Sequence, residues 1–457
     1  MKSSRFLWTA TLLLVLAPMA RADVTLPSVL SSHMVLQRDK PVTLWGWADP
    51  GEEVRVTFGD NEVKTKTDNG GNWRVSLPAM KASAEGRTLA IKGKNALELS
   101  DVLVGEVWLG SGQSNMEWPM VATEKAQERI AAAKHPNIRL FQVEKLTSDR
   151  PLREVPFTGA KPSWKACTPQ SVGGFSAVLY FFGTALQKDL DVPIGLINSS
   201  WGGSPIEPWT VDKKGSGNMY NAMIAPLTPY TLRGVLWYQG ETNAFNRNCM
   251  AYFDKKKALI SGWRNFWGQD MPFYFVQIAP WQPKNGGYPE GELMKIWEAQ
   301  VATLKIPHTG MAVTTDIVHD INDIHPNNKL DVGNRLARWA MARTYGKKDV
   351  VVSGPLYKGI KVEGDKIRVS FAHTAGGLKA RDDKPLTEFE IAGADGKFVA
   401  AEATVDGETV VVSASGVTNP EQVRFGWRST ANPNLVNKEG LPASPFRSKD
   451  WQGGTGE

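Results

Sequence analysis

The sequence predicts an α/β fold, a three-layer α/β/α domain on a parallel sheet with β-sandwich-like segments at either end. The middle of the chain, about Gly105 to Gly346, alternates short apolar strand-like runs with helical patterns, as βαβ units do. Outside that region, apolar residues alternate with polar ones between turn residues, the period of half-buried antiparallel strands. The 457 residues also exceed the roughly 100–200 usual for one domain.

Residues 1–22 read as a secretory signal peptide. Lys2 and Arg5 precede the apolar run Thr11–Ala17, and Ala20-Arg21-Ala22 stands before Asp23, with an apolar run too short to span a bilayer. The mature chain is therefore expected to be exported, periplasmic or secreted, with no membrane span after cleavage. Loss of Lys2, Arg5 and Arg21 lowers the formal charge from +6 to about +3, and no basic block remains. That argues against a nucleic-acid partner. A composition of 42% hydrophobic and 22% charged residues excludes bulk disorder. Cys167 and Cys249 match no zinc or redox spacing. Export would permit a disulfide between them, and two buried thiols are the alternative.

Residues 23–104 form the first predicted β domain. Val54, Val56 and Phe58 alternate after Asp49-Pro50-Gly51, and Trp73, Val75 and Leu77 after Asp68-Asn69-Gly70-Gly71. The α/β domain is placed at residues 105–346. Its strands are Val107–Leu109, Ile194–Ile197, Val235–Tyr238, Phe273–Val276 and Met311–Val313, and its helices Ala177–Leu190, Met250–Trp267, Pro289–Leu304 and Asn328–Tyr345. Residues 347–457 form a C-terminal β-rich domain, marked by Ile367, Val369 and Phe371, by Val410 and Val412, and by Val423, Phe425 and Trp427. Periodicity leaves open whether the two β stretches form one sandwich or two.

In a parallel sheet, chemistry belongs at the carboxyl ends of the strands. Gly110-Ser111-Gly112-Gln113-Ser114 follows Val107–Leu109, and its glycines permit a tight turn that exposes the Ser114 hydroxyl. Ser114 is thus a candidate nucleophile, with a helix-capping turn serine as the plainer alternative. Met116 stands where a Gly-x-Ser-x-Gly elbow has its second glycine, which disfavours an α/β-hydrolase. The segment Ile317–Lys329 holds His319, Asp320, Asn322, Asp323 and His325. His325 suits the general base, since a neutral imidazole takes the serine proton while a carboxylate fixes its tautomer. Metal ligation by His319 and His325 is the rival there, at a spacing that fits no standard metal motif, and a surface loop with incidental histidines is the plainest reading. Asn198–Ser204 and Gln239–Asn243 each place flexible backbone and amide donors at a strand end, as an oxyanion hole requires.

Together these strings resemble the sialate O-acetylesterase family of SGNH hydrolases. The matching segments are Leu109–Met116 (LGSGQSNM), Ile194–Trp209 (IGLINSSWGGSPIEPW), Leu236–Ala244 (LWYQGETNA), Asp323–Leu336 (DIHPNNKLDVGNRL) and His33–Gly46 (HMVLQRDKPVTLWG). The resemblance implies an SGNH-type α/β/α domain joined to β domains, and removal of O-acetyl groups from carbohydrates with no metal or other cofactor. It makes Ser114 the nucleophile and His325 the base, with Gly203, Asn243 and the Ser114 N–H as the oxyanion hole. Gln113, Asn115, Trp201, Gln239 and Glu241 are expected to bind substrate. Many SGNH hydrolases carry the triad carboxylate three positions before the histidine, where this chain has Asn322. Asp323 is taken as the carboxylate, Asp316 as the reserve, and a Ser–His dyad as the alternative. Among 17 tryptophans, Trp118, Trp201, Trp209 and Trp237 lie nearest these segments as surfaces for sugar rings. Two readings compete: a glycoside hydrolase using Glu241 with Glu207 or Glu298, and a non-catalytic carbohydrate-binding protein.

Overall fold

The computed structural model describes residues 23–212 and 215–449, so the predicted signal peptide lies outside the described residues. Its centre is a sheet in the order Thr309–Ala312, Phe273–Val276, Gly234–Tyr238, Ala96–Gly112, Ile194–Ser200, His135–Gln142, Lys165–Cys167. All neighbours run parallel except the last, which is antiparallel. The five predicted strands of this region are present. His135–Gln142 and Lys165–Cys167 were not predicted; prolines and charges interrupt the apolar runs there.

Alternation along the strands puts helices on both faces. Trp108 packs edge-on against Phe182 of the helix Ala177–Leu190, and a Cβ on Gly110 would strike Leu179 of the same helix. Trp237, paired with Ser111 and so pointing the other way, meets Trp263 of the helix Tyr252–Trp267. The helix Lys329–Trp339 packs with Ala177–Leu190, and Glu292–Thr303 packs with Tyr252–Trp267. This is the expected three-layer arrangement.

Ala96–Gly112 is one strand of 17 residues that runs straight through the predicted boundary at 104/105. Its first half pairs with Ser83–Lys92 and Val35–Gln37 of the N-terminal β stretch, its second half with the parallel sheet. One hydrophobic core accordingly spans both regions, from Val24 to Ala340 and beyond. The C-terminal segment has its own core, built on Ile367, Val369, Phe389, Val410, Val412, Val423 and Phe425. No strand of the two β stretches pairs across them among the described residues. Cys167 and Cys249 are two free, buried thiols, so the disulfide alternative is not the one found. No described helix is long and apolar enough to cross a membrane.

Candidate active site

The register brings three strand ends level: Gly112 lies opposite both Ser200 and Tyr238. The loops that follow therefore leave the sheet at one place. Gly112 adopts φ +134°, and a Cβ there would lie 2.2 Å from the Tyr238 carbonyl oxygen, so only glycine lets the chain turn this close to its neighbour. Ser114 opens the short helix Ser114–Glu117 directly after that turn.

The last parallel strand, Thr309–Ala312, leads into the loop that carries His325 back over the sheet. There His325 Nε2 lies 2.8 Å from Ser114 Oγ, a hydrogen bond between residues 211 positions apart. Burial, then the charge of Lys329, hold the imidazole pKa below its ordinary value, against the opposing pull of Asp323. A neutral imidazole in contact with a serine hydroxyl is the arrangement for proton abstraction.

The carboxylates divide clearly. Asp323 Oδ1 accepts the His325 backbone N–H at 2.8 Å and stands 3.7 Å from His325 Nδ1. Asp316, the reserve, is gripped by both terminal nitrogens of Arg335 at 2.7 and 2.6 Å. The Asn322 side chain is engaged elsewhere, donating to Asp320 and accepting from the Lys284 N–H. His319 pairs with Glu124 at 3.0 Å, and no three His, Cys, Asp or Glu side chains gather as a metal-binding group among the described residues.

Gly203 has φ +74°, and neither its N–H nor that of Ser114 finds an acceptor among the described residues. Gly202 lies against Ser114: its N–H donates to Glu117 Oε2 at 2.7 Å, and a Cβ on it would come within 3.3 Å of Ser114 Cβ. Asn243 is fully buried, with Oδ1 accepting from Gln239 Nε2 at 2.8 Å and Ile206 N at 3.0 Å, and Nδ2 turned to the Glu207 carboxylate at 3.1 and 3.2 Å.

Four residues expected to touch substrate are buried and hydrogen-bonded within the protein. Gln113, Asn115, Gln239 and Glu241 are all at most 3% exposed. Gln113 Oε1 accepts from Gln239 Nε2 and from the N–H groups of Gly240 and Thr242, which ties two of the loops together. Gln239 Oε1 accepts from the Tyr252 hydroxyl. Asn115 Nδ2 donates to Glu241 Oε1 at 2.6 Å and to the Ile324 carbonyl at 3.1 Å. Trp201 remains at the surface of the site, half-buried, while Trp209 and Trp237 are core residues with no face free for a sugar. Trp118 stacks on His325, with ring centroids 4.7 Å apart and planes 21° apart.

The residue missed from sequence is Lys329. It is wholly buried, and its Nζ donates to Asn115 Oδ1 at 2.5 Å. Desolvation lowers its pKa to about 7 against the opposing pull of Glu241 and Asp323. Its place four residues after His325, at the start of an amphipathic helix, was the only signal available, and a lysine there reads as an ordinary surface charge.

Comparison with known proteins gives the family. The profile of the family described as carbohydrate esterase, sialic acid-specific acetylesterase, matches residues 104–342. The chain belongs to that family. It is 32% identical to the human sialate O-acetylesterase over 395 residues, 74% of each chain, and 31% identical to the rat sialate O-acetylesterase over 434 residues, 77% of this chain and 80% of that one. Among solved structures, a carbohydrate acetylesterase from Xanthomonas citri superposes with a TM-score of 0.88 at 40% identity, covering 94% of this chain and 100% of that one. As a member of the acetylesterase family the protein is a carboxylic ester hydrolase with an SGNH-type α/β/α domain. Each carboxylate of the glycoside-hydrolase reading is engaged with another partner: Glu241 is buried against Asn115, Glu207 pairs with Lys255, and Glu298 pairs with Arg447 at 2.7 Å.

Proposed function

We propose that this esterase is exported and removes O-acetyl groups from carbohydrates, sialic acids or hemicellulose sugars such as acetylated xylan or xyloglucan, through an acyl-enzyme on Ser114. The observation that carries the reading is the 2.8 Å contact between Ser114 Oγ and His325 Nε2 at the carboxyl end of the central strand. In this mechanism His325 takes the hydroxyl proton as Oγ attacks the acetyl carbonyl. The N–H groups of Ser114 and Gly203 receive the tetrahedral oxyanion, while Asn243, expected from sequence as a third donor, has its Nδ2 turned to Glu207 and braces the neighbouring loops instead. His325 then returns the proton to the departing sugar oxygen, and a water molecule, activated by the same ring, releases acetate and restores Ser114. Asp323 supplies negative charge beside the imidazolium in both halves of the reaction. Trp201 lies at the mouth as a flat surface for the sugar.

The signal peptide pattern supports export, and the curated sialate O-acetylesterases and the Xanthomonas citri carbohydrate acetylesterase support the substrate class. The test is acetate release from a panel of acetylated sialic acids, xylan and xyloglucan oligosaccharides, with reducing ends measured in parallel. Acetate without new reducing ends is the expected result; new reducing ends would favour glycoside hydrolysis, and neither product would favour binding alone.

A further inference from the structure

The carboxylate that normally orients a catalytic histidine is poorly placed for it here. Asp323 is half-exposed, and at 3.7 Å its nearer oxygen lies outside hydrogen-bond range of Nδ1 while already accepting a backbone N–H. Something else must keep the ring edge-on to Ser114. The stack on Trp118 fixes the plane of the imidazole. Trp118 is itself tied down, its Nε1–H donating to the Ala122 carbonyl at 2.9 Å and its ring lying 5.4 Å from the Lys329 ammonium, within cation–π range.

Lys329 also acts through a second route. Asn115 Nδ2 is committed to two groups that can only accept, the Glu241 carboxylate and the Ile324 carbonyl, so Oδ1 must face Lys329 and receive its proton. The amide thus bridges a buried anion to a buried cation while holding the residue that immediately precedes His325. We propose that Trp118 and Lys329 are the positioning residues of His325, the indole serving as the plate on which the imidazole lies and the ammonium fixing both that plate and, through Asn115, the Ile324–His325 backbone.

The charged groups facing the imidazole are then Asp323 on its own loop and Lys329 on the following helix, with Glu241 behind Lys329 and the neutral Ser114 in front. Lys329 disfavours the imidazolium, so its removal makes His325 easier to protonate while also loosening the ring. A purely structural lysine would leave the pH profile in place.

The inference rests on His325 as the base, and the experiment separates the two. Trp118→Leu, Trp118→Phe, Lys329→Met and His325→Ala are assayed for kcat, KM and the pH profile of kcat/KM on p-nitrophenyl acetate, with circular dichroism for folding. Trp118→Leu is expected to lose about 10–100-fold in kcat at nearly constant KM, the scale of a small misplacement of a reacting group. Trp118→Phe, which keeps an aromatic face, recovers most of that loss. Lys329→Met lowers kcat and moves the acid limb of kcat/KM to higher pH. If Lys329→Met does not fold, the contrast between the two Trp118 variants decides alone. Parental kcat in Trp118→Leu, or equal losses in Trp118→Leu and Trp118→Phe, would overturn the proposal, as would a folded Lys329→Met with an unmoved acid limb. An active His325→Ala would instead remove the base assignment itself.

Discussion

Asp323 and His325 touch through the backbone and not through the ring: one carboxylate oxygen accepts the His325 N–H at 2.8 Å and lies 3.7 Å from Nδ1. A triad acid bonded to the imidazole fixes its tautomer, and its conversion to the amide costs up to about 10⁴-fold in rate. Asp323→Asn retains the turn, because an amide oxygen also accepts a backbone N–H, and removes only a half-exposed charge. We expect kcat to fall by roughly tenfold, about 1.4 kcal/mol. A loss near the triad value would show that the Asp323 carboxylate closes on Nδ1 during the reaction.

Asp316→Asn should behave differently. It breaks a two-pronged ion pair with Arg335, both side chains being little exposed, and removing one partner of such a pair leaves a charge without its counterion. The expected effect is a lower unfolding midpoint in urea with kcat per folded molecule close to parental. A selective fall in kcat would place Asp316 in the reaction after all.

Ser114→Ala should abolish turnover, by at least about 10³-fold, with the fold unchanged. Among the described residues the Ser114 hydroxyl bonds only to His325, and the turn that presents it is held by Gly112 and by the Gln113 network. Acetate release at near-parental rate from purified Ser114→Ala would exclude it as the nucleophile.

The pH dependence has a definite sign. His325 can accept the serine proton only while neutral, so activity is lost as pH falls through its pKa. Burial and the Lys329 charge place that pKa below the ordinary imidazole value, Asp323 notwithstanding. The acid limb of kcat/KM is expected beneath about pH 6.5, the reference value for histidine. A limb at or above that pH, measured on one acetyl ester in constant ionic strength, would contradict the electrostatic account of the site.

These features differ in how far they could be read from sequence. Ser114 was legible because two glycines after an apolar run imply a turn at a strand end, and the structure uses Gly112 in that way. The helix Ala177–Leu190 was legible to the residue, since its apolar face is continuous and Asp191 ends it in the left-handed region. The burial of Gln113, Asn115, Gln239 and Glu241 was not. An amide at a strand end serves equally well as a contact to sugar or as a brace between loops, and only burial separates the two. The stack of Trp118 on His325 and the burial of Lys329 are illegible for a related reason: Trp118 reads only as a surface for sugar because stacking across the chain leaves no trace in spacing, and a lysine buried on the core face of an amphipathic helix breaks the rule by which charges are assigned to solvent.

The last expectation concerns Glu106, where the N-terminal β stretch and the parallel sheet share a strand. Its carboxylate has no solvent exposure and accepts from Gln37 Nε2 at 3.0 Å, Arg38 Nε at 2.5 Å and Arg233 Nε at 2.6 Å. Gln37 and Arg38 belong to the N-terminal stretch, and Arg233 enters the strand Gly234–Tyr238 on the other side. Glu106→Gln leaves two guanidinium groups facing a neutral amide, and breaking a buried pair from one side costs about 3–5 kcal/mol. The neighbouring geometry also bears on domain structure, since a strand and a core common to both regions should make them unfold together. Urea unfolding followed by tryptophan fluorescence and by esterase activity should therefore give one coincident transition for these two regions, moved to lower urea in Glu106→Gln, with kcat per folded molecule retained. A shift worth less than about 1 kcal/mol would mean the arginines find solvent once the charge is gone. Two separated transitions, with activity surviving the first, would instead make residues 23–104 a domain that folds apart from the esterase sheet despite the strand they share.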